Sequence, residues 1–169
     1  VHQALVRSRT VAGDPARRAS LEQLRREVLT LPRQVPALSA AVRDMRYKMR
    51  TEQASMSRDN ERFDIKRDQG GIVDIEFVVQ YLVLAHAAEH PALAQWSDVI
   101  RLLETLEQVG ALSADQAAVL SSRYLIYRGA LHGLALQGAD TQVEAAAHAA
   151  GREQVKRVTE ALLPGLQAT

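Results

Sequence analysis

Apolar residues recur at spacings of three and four in every long segment of the chain, the period of an amphipathic helix. Asp14-Pro15 is a helix start, because Asp can cap and Pro suits the first turn. Leu21, Leu24, Val28 and Leu31 follow as an apolar stripe, and Pro32 ends the segment. A second helix starts at Val35-Pro36 and runs to about Ser55, with Leu38, Val42, Met45 and Met49 on one side and Arg43, Arg46 and Arg50 on the other. Residues 51–62 are polar and read as a loop. From Ile72 to about His86 the chain is apolar on nearly every helical side, so this helix should be central.

His90-Pro91 breaks the pattern. A helix from about Ser97 to Val109 follows, with Trp96-Ser97-Asp98 as a capped start and Trp96 as a core anchor. Ser113 and Gln116 have capping-box spacing. They open a helix with Leu120, Tyr124, Tyr127, Leu131 and Leu134 on one face. Gly129 and Gly133 lie within it, each costing about 1 kcal/mol relative to Ala, and close helix packing would account for them. A last amphipathic helix runs from about His148 to Leu163. Only Phe63-Asp64-Ile65-Lys66 alternates apolar and polar, as a short extended piece would, followed by a turn at 67–71. The pattern predicts an all-α bundle of about five to seven helices in one domain, 1–169, with no large sheet.

Composition narrows the class. With 47% hydrophobic and 24% charged residues, the 169-residue chain is no disordered tail. Aromatics are only 4%, so aliphatic side chains must do most of the packing. Cysteine is absent, which excludes disulfides and thiolate metal sites and fits a reducing, cytoplasmic compartment. No apolar run is long enough to span a membrane. The start at Val1 reads as a piece of a longer chain. Residues 1–70 carry 15 Lys+Arg against 9 Asp+Glu, and residues 71–169 carry 6 against 11. The basic half faces either an anion or the acidic half of its own chain.

The sharpest stretch is Phe63 to Phe77, FDIKRDQGGIVDIEF. Gly70 and Gly71 permit a turn with close backbone approach, feeding a helix N-terminus that favours an anion. Lys66 and Arg67 precede it, so a phosphate would be well placed; the alternative is a solvated turn with ordinary surface cations. The Gly-Lys-Ser/Thr element of a P-loop is missing. Asp74 sits in the first helical turn, where the helix dipole favours it. Glu76 interrupts an apolar face and needs a partner: an arginine such as Arg46 or Arg128, or an active-site role. The Arg43/Arg46/Arg50 stripe reads as a solvated face, or as a seat for phosphates or an acidic partner. The histidines show no metal spacing. Nucleic-acid binding is disfavoured, because the basic half is poor in aromatics and interleaved with acids.

Phe63-Asp-Ile-Lys66, Gly70-Gly-Ile-Val-Asp-Ile-Glu-Phe77, Gln80-Tyr-Leu-Val-Leu84 and Trp96-Ser-Asp98 together resemble the bifunctional glutamine synthetase adenylyltransferase/adenylyl-removing enzymes. His2-Gln3-Ala4-Leu5, Val42-Arg-Asp-Met-Arg-Tyr-Lys-Met-Arg50 and Leu131-His-Gly-Leu-Ala-Leu136 also look like that family. The resemblance implies transfer of AMP from ATP to a tyrosine of glutamine synthetase, under control of the PII signal protein and glutamine. It implies a helical domain behind a polymerase-β-like palm, with residues 1–12 a remnant of the palm's last helix. The Gly-x-Ser-x-Asp-x-Asp strand that binds Mg2+ in such palms is not in this sequence, so ATP and Mg2+ would be held mainly elsewhere and no residue here would be catalytic. Lys66, Arg67, Gly70, Gly71, Asp74 and Glu76 are the residues that would face the nucleotide cleft. The competing reading is an interaction module that docks glutamine synthetase or PII without touching nucleotide.

Overall fold

A computed structural model describes residues 2–53 and 61–167. Seven α-helices are present among them: α1 (Gln3–Arg7), α2 (Pro15–Leu29), α3 (Val35–Gln53), α4 (Ile72–His86), α5 (Val99–Gln108), α6 (Ala114–Leu136) and α7 (Ala145–Leu162). A 3-10 turn spans Pro91–Ala94. Two three-residue strands, β1 (Arg62–Asp64) and β2 (Gln142–Glu144), pair antiparallel with Phe63 opposite Val143. The all-α expectation holds, and no described strand belongs to a larger sheet. No described helix is long and apolar enough to cross a membrane.

The helix boundaries follow the capping signals. Asp14 accepts the Arg17 amide at the start of α2, and Asp98 accepts the Ile100 and Arg101 amides at the start of α5. Ser113 and Gln116 satisfy each other's backbone N–H in the expected capping box. α3 continues through 51–53, which the polar composition had assigned to a loop; the expected end near Ser55 lies outside the described residues.

The chain divides into two compact units. The first comprises Val1–Leu38 and Val79–Ala117. Its interior is aliphatic, with Val6, Leu29, Leu93, Leu102, Leu103 and Leu106 fully buried. Arg25 is its polar node: the buried guanidinium donates to the carbonyls of Leu5, Val6, Ala94 and Trp96 at 2.8–2.9 Å and to Glu22 at 2.9 Å. It thereby caps carbonyls at the end of α1, where Leu5 also accepts from Ser8, and at and just after the end of the 3-10 turn. Two expectations fail in this unit. Leu21, Leu24 and Leu31 are about half exposed, while Arg25 and Leu29 are the buried residues of α2. Trp96 is 44% exposed beside Arg101, 5.7 Å from its ring, and anchors no core.

The second unit comprises Ser39–Val78 and Ala118–Thr169. Phe63, Ile65, Ile75, Val78, Leu120, Tyr127, Val155, Leu163 and Leu166 fill its interior. Phe63 and Tyr127 meet edge to face at 5.9 Å, and both lie 6.1 Å from His148. Gly129 and Gly133 of α6 have no neighbour within 4 Å of where a Cβ would sit, so the close packing expected there is absent. Met45 of the apolar stripe on α3 is exposed, whereas Arg46 is fully buried. That inversion shapes the site.

Candidate functional site

The Phe63–Phe77 segment forms a closed knot in the second unit. Phe63 is held by strand pairing, and Asp64 then organises the turn. Its Oδ1 accepts the amides of Lys66 and Arg67 at 2.9 and 3.0 Å and the Thr141 hydroxyl at 2.8 Å. The Asp64 amide donates to Asp68 Oδ2 at 2.9 Å. The chain then doubles back: Gly71 N–H donates to the Asp68 carbonyl at 3.1 Å and Ile72 N–H to the Ile65 carbonyl at 2.8 Å.

Gly70 has φ +75°, a left-handed conformation that side chains resist. A Cβ there would lie 2.6 Å from the Arg152 carbonyl, and one at Gly71 would lie 2.3 Å from the Ile65 carbonyl. The close approach expected at the two glycines is therefore real, but it is made by the chain's own backbone. Both glycines are buried.

Asp74 lies beneath the turn with no exposed surface. Its carboxylate receives Arg46 Nε at 2.6 Å, Gly70 N–H at 2.7 Å and Gln167 Nε2 at 3.0 Å. Arg46 also donates to the Arg67 carbonyl at 3.0 Å. A buried ion pair needs such added hydrogen bonds to offset desolvation, and here both ions have them. Arg46, one of the two arginines proposed as a partner for Glu76, thus pairs with Asp74, and Glu76 is half-buried. Nor is the arginine stripe of α3 a solvated face. Arg43 donates to the Pro164 carbonyl at 2.8 Å and Arg50 to the Leu166 carbonyl, so the stripe clasps the segment after α7. Burial pushes the Arg50 guanidinium below its ordinary pKa, with Asp74 opposing the shift.

Lys66 and Arg67 are exposed at the rim, which both the ligand-facing reading and that of ordinary surface cations allow. Arg67 Nε lies 3.7 Å from Asp64 Oδ2. The knot also recruits residues with no local signature. Arg152 of α7 donates Nε to the Gln69 carbonyl at 2.7 Å and stacks 4.8 Å from the Phe63 ring. Lys156, one turn on, lies beside Gly70 and pairs with Glu153 at 2.8 Å, which holds the Glu153 carboxyl below its usual range. Gln167 ties Asp74 to Thr159 Oγ1, while its carbonyl accepts Gln69 Nε2. Periodicity could not have found these, because they lie some 80 to 100 residues along the chain. Arg152 also lines an open cleft of about 740 Å3 with Arg62, Glu61, Glu144 and Glu153, a mixed-charge surface without cationic bias. Among the described residues no group of three or more His, Cys, Asp or Glu could hold a metal ion.

Chemically, then, the knot is a scaffold. The N–H groups of Gly70, Gly71 and Ile72, which a phosphate would have used, already donate inside the protein. What it presents outward is cationic side chains on a fixed turn. Fold and site together define an all-α domain built around a buried, internally bonded glycine turn. The chain belongs to the GlnD PII-uridylyltransferase family, whose profile matches residues 40–144, 105 of the 169 and the whole of the knot as far as β2.

Proposed function

We propose that this chain is the helical domain of a glutamine synthetase adenylyltransferase, an enzyme that moves AMP from ATP to a tyrosine of glutamine synthetase and so regulates nitrogen assimilation in the cytoplasm. The observation that carries the nucleotidyltransferase part of this reading is the family match over 40–144. The step from uridylyl to adenylyl transfer is supported by the Phe63–Lys66 lead and the Trp96–Asp98 segment, which resemble the adenylylating half of the bifunctional enzymes. In this reading a palm outside the chain holds ATP and Mg2+ and performs the transfer. The chain supplies a rigid wall to the cleft, with Lys66 and Arg67 toward the nucleotide, and helps dock glutamine synthetase under control of PII. Gly70, Gly71 and Asp74 act by fixing the turn, and the fragment alone does not catalyse.

The deciding experiment incubates the full-length protein with labelled ATP or UTP and either glutamine synthetase or PII. Label from ATP on glutamine synthetase supports the proposal. Label from UTP on PII replaces it with the activity that the family's description names. A second reading has a specific observation behind it: the buried Gly70–Gly71 turn offers no backbone donors, which favours a pure docking module. In that case Lys66→Ala leaves the nucleotide KM unchanged and weakens capture of glutamine synthetase or PII.

A further inference from the structure

We infer that Arg152 and Lys156 of α7 complete, with Lys66 and Arg67, a cationic rim around the Gly70 turn that holds the phosphates of a nucleoside triphosphate. This rests on the reading above that the domain walls a nucleotide cleft, and it adds two residues that no local motif contains.

The juxtaposition is made by the knot itself. The bond from Ile72 N–H to the Ile65 carbonyl brings the backbone next to Lys66 against the glycine turn. From the other side, α7 lays the Cγ atoms of Arg152 and Lys156 within 2.8 and 2.9 Å of where a Gly70 Cβ would be. Four residues with cationic side chains, from two segments about 85 residues apart, therefore border one buried turn, with the Lys156 ammonium on Glu153 and the Arg152 guanidinium over the Phe63 ring. Two of them already have carboxylates: Arg67 has Asp64 and Lys156 has Glu153. Lys66 and Arg152 form no ion pair within 4 Å among the described residues, although Arg152 shares its cleft with Glu61, Glu144 and Glu153. Arg152 is fixed through Nε alone, by the Gln69 carbonyl, which leaves its two terminal nitrogens to donate elsewhere. A guanidinium anchored through one nitrogen and stacked on a ring is pre-organised to grip a phosphate with the other two. The N–H groups of Gly70, Gly71 and Ile72 are spent internally, which leaves recognition of an anion mainly to the side chains.

The test is steady-state kinetics of the intact enzyme with the triphosphate it turns over, ATP or UTP, for Lys66→Ala, Arg152→Gln and Lys156→Gln. Each should raise the triphosphate KM roughly three- to tenfold with kcat within about twofold, the range for losing one charge-assisted contact at a partly exposed site. Lys156→Arg should keep the wild-type KM. Arg152→Gln also removes a bond to Gln69, so melting of each variant is followed; if it fails to fold, Lys156→Gln decides alone. A raised KM in Lys66→Ala with no change in the folded α7 variants overturns the rim and leaves the cleft-wall reading standing. Unchanged KM in all three overturns both.

Discussion

Asp74→Asn tests whether the buried Arg46–Asp74 pair organises the second unit. The substitution keeps the side-chain shape but removes the charge, and it places an amide NH2 where two donors now converge. In the native structure one carboxylate satisfies Arg46 Nε, Gly70 N–H and Gln167 Nε2, all within 2.6–3.0 Å. Asn offers a single acceptor oxygen, so at least one of these donors meets another donor. Arg46 is left fully buried against two main-chain carbonyls and no counter-charge. Leaving one member of a buried pair costs about 3–5 kcal/mol, a large part of a typical domain stability of about 5–15 kcal/mol. Arg46→Met strands the other charge and should cost a similar amount. With a urea slope of about 2 kcal/mol/M, either change lowers the unfolding midpoint by about 2 M. The double variant Arg46→Met/Asp74→Leu removes both charges, and its loss should be well below the sum of the single losses, because no lone ion is left in the interior. Urea unfolding followed by circular dichroism reads all three. Midpoint shifts below about 0.3 M for both single variants, or strict additivity in the double, would refute the reasoning.

Gly71→Ala should cost about 2–3 kcal/mol or prevent folding, since its Cβ would meet the Ile65 carbonyl, which cannot move without breaking the bond from Ile72; a wild-type melting temperature would show the turn to be looser than described. Gly129→Ala and Gly133→Ala should each stabilise by about 0.5–1 kcal/mol, because both sit inside α6 with open space at the Cβ position. Ile75→Ala should cost about 2–4 kcal/mol in the same unfolding assay, more than Val79→Ala, as both are buried in α4. Tyr127 is fully buried, its hydroxyl has no hydrogen-bond partner among the described residues, and burial pushes its pKa up to about 12. The folded state holds this proton between pH 10 and 12 while the unfolded state releases it, so stability falls as pH rises through that window. Tyr127→Phe should shrink that fall and cost little or nothing at pH 7; an unchanged alkaline profile would refute it.

Much of the fold was legible because caps and periodicity are local signals. The Ile72–His86 span, the Asp14, Asp98 and Ser113 starts and the extended Phe63 segment needed no knowledge of the rest of the chain. What lay out of reach depends on neighbours. The partner of β1 is three residues at 142–144, too short for an alternation pattern and about 80 residues distant. The apolar stripe read on α2 does not form its buried face: periodicity says only that a face is apolar, and Leu21 and Leu24, with Leu31 beyond the helix end, stay exposed while Arg25 and Leu29 are buried. On α3 the reverse happened: three arginines in register suggest solvent, but Asp74 and the carbonyls of Arg67, Pro164 and Leu166 supply enough acceptors to bring them inward.

The candidate site shows the same divide within five residues. Gly70-Gly71 before a helix has one sequence signature for two physical situations, because a missing Cβ serves a phosphate and a neighbouring carbonyl equally well. Hydrogen bonds separate the two. Gly70 N–H goes to Asp74, Gly71 N–H to Asp68 and Ile72 N–H to Ile65, so the turn's polarity is consumed in building it. In the proposed reading, recognition of an anion would then fall to groups that the turn positions rather than to the turn itself. Lys66 and Arg67 could be named from the sequence because they precede the glycines. Arg152 and Lys156 could not, since only the packing of α7 against Gly70 makes them part of the same surface. A glycine motif of this kind therefore marks where the backbone is crowded, and the side chains around that crowding carry whatever chemistry the motif serves.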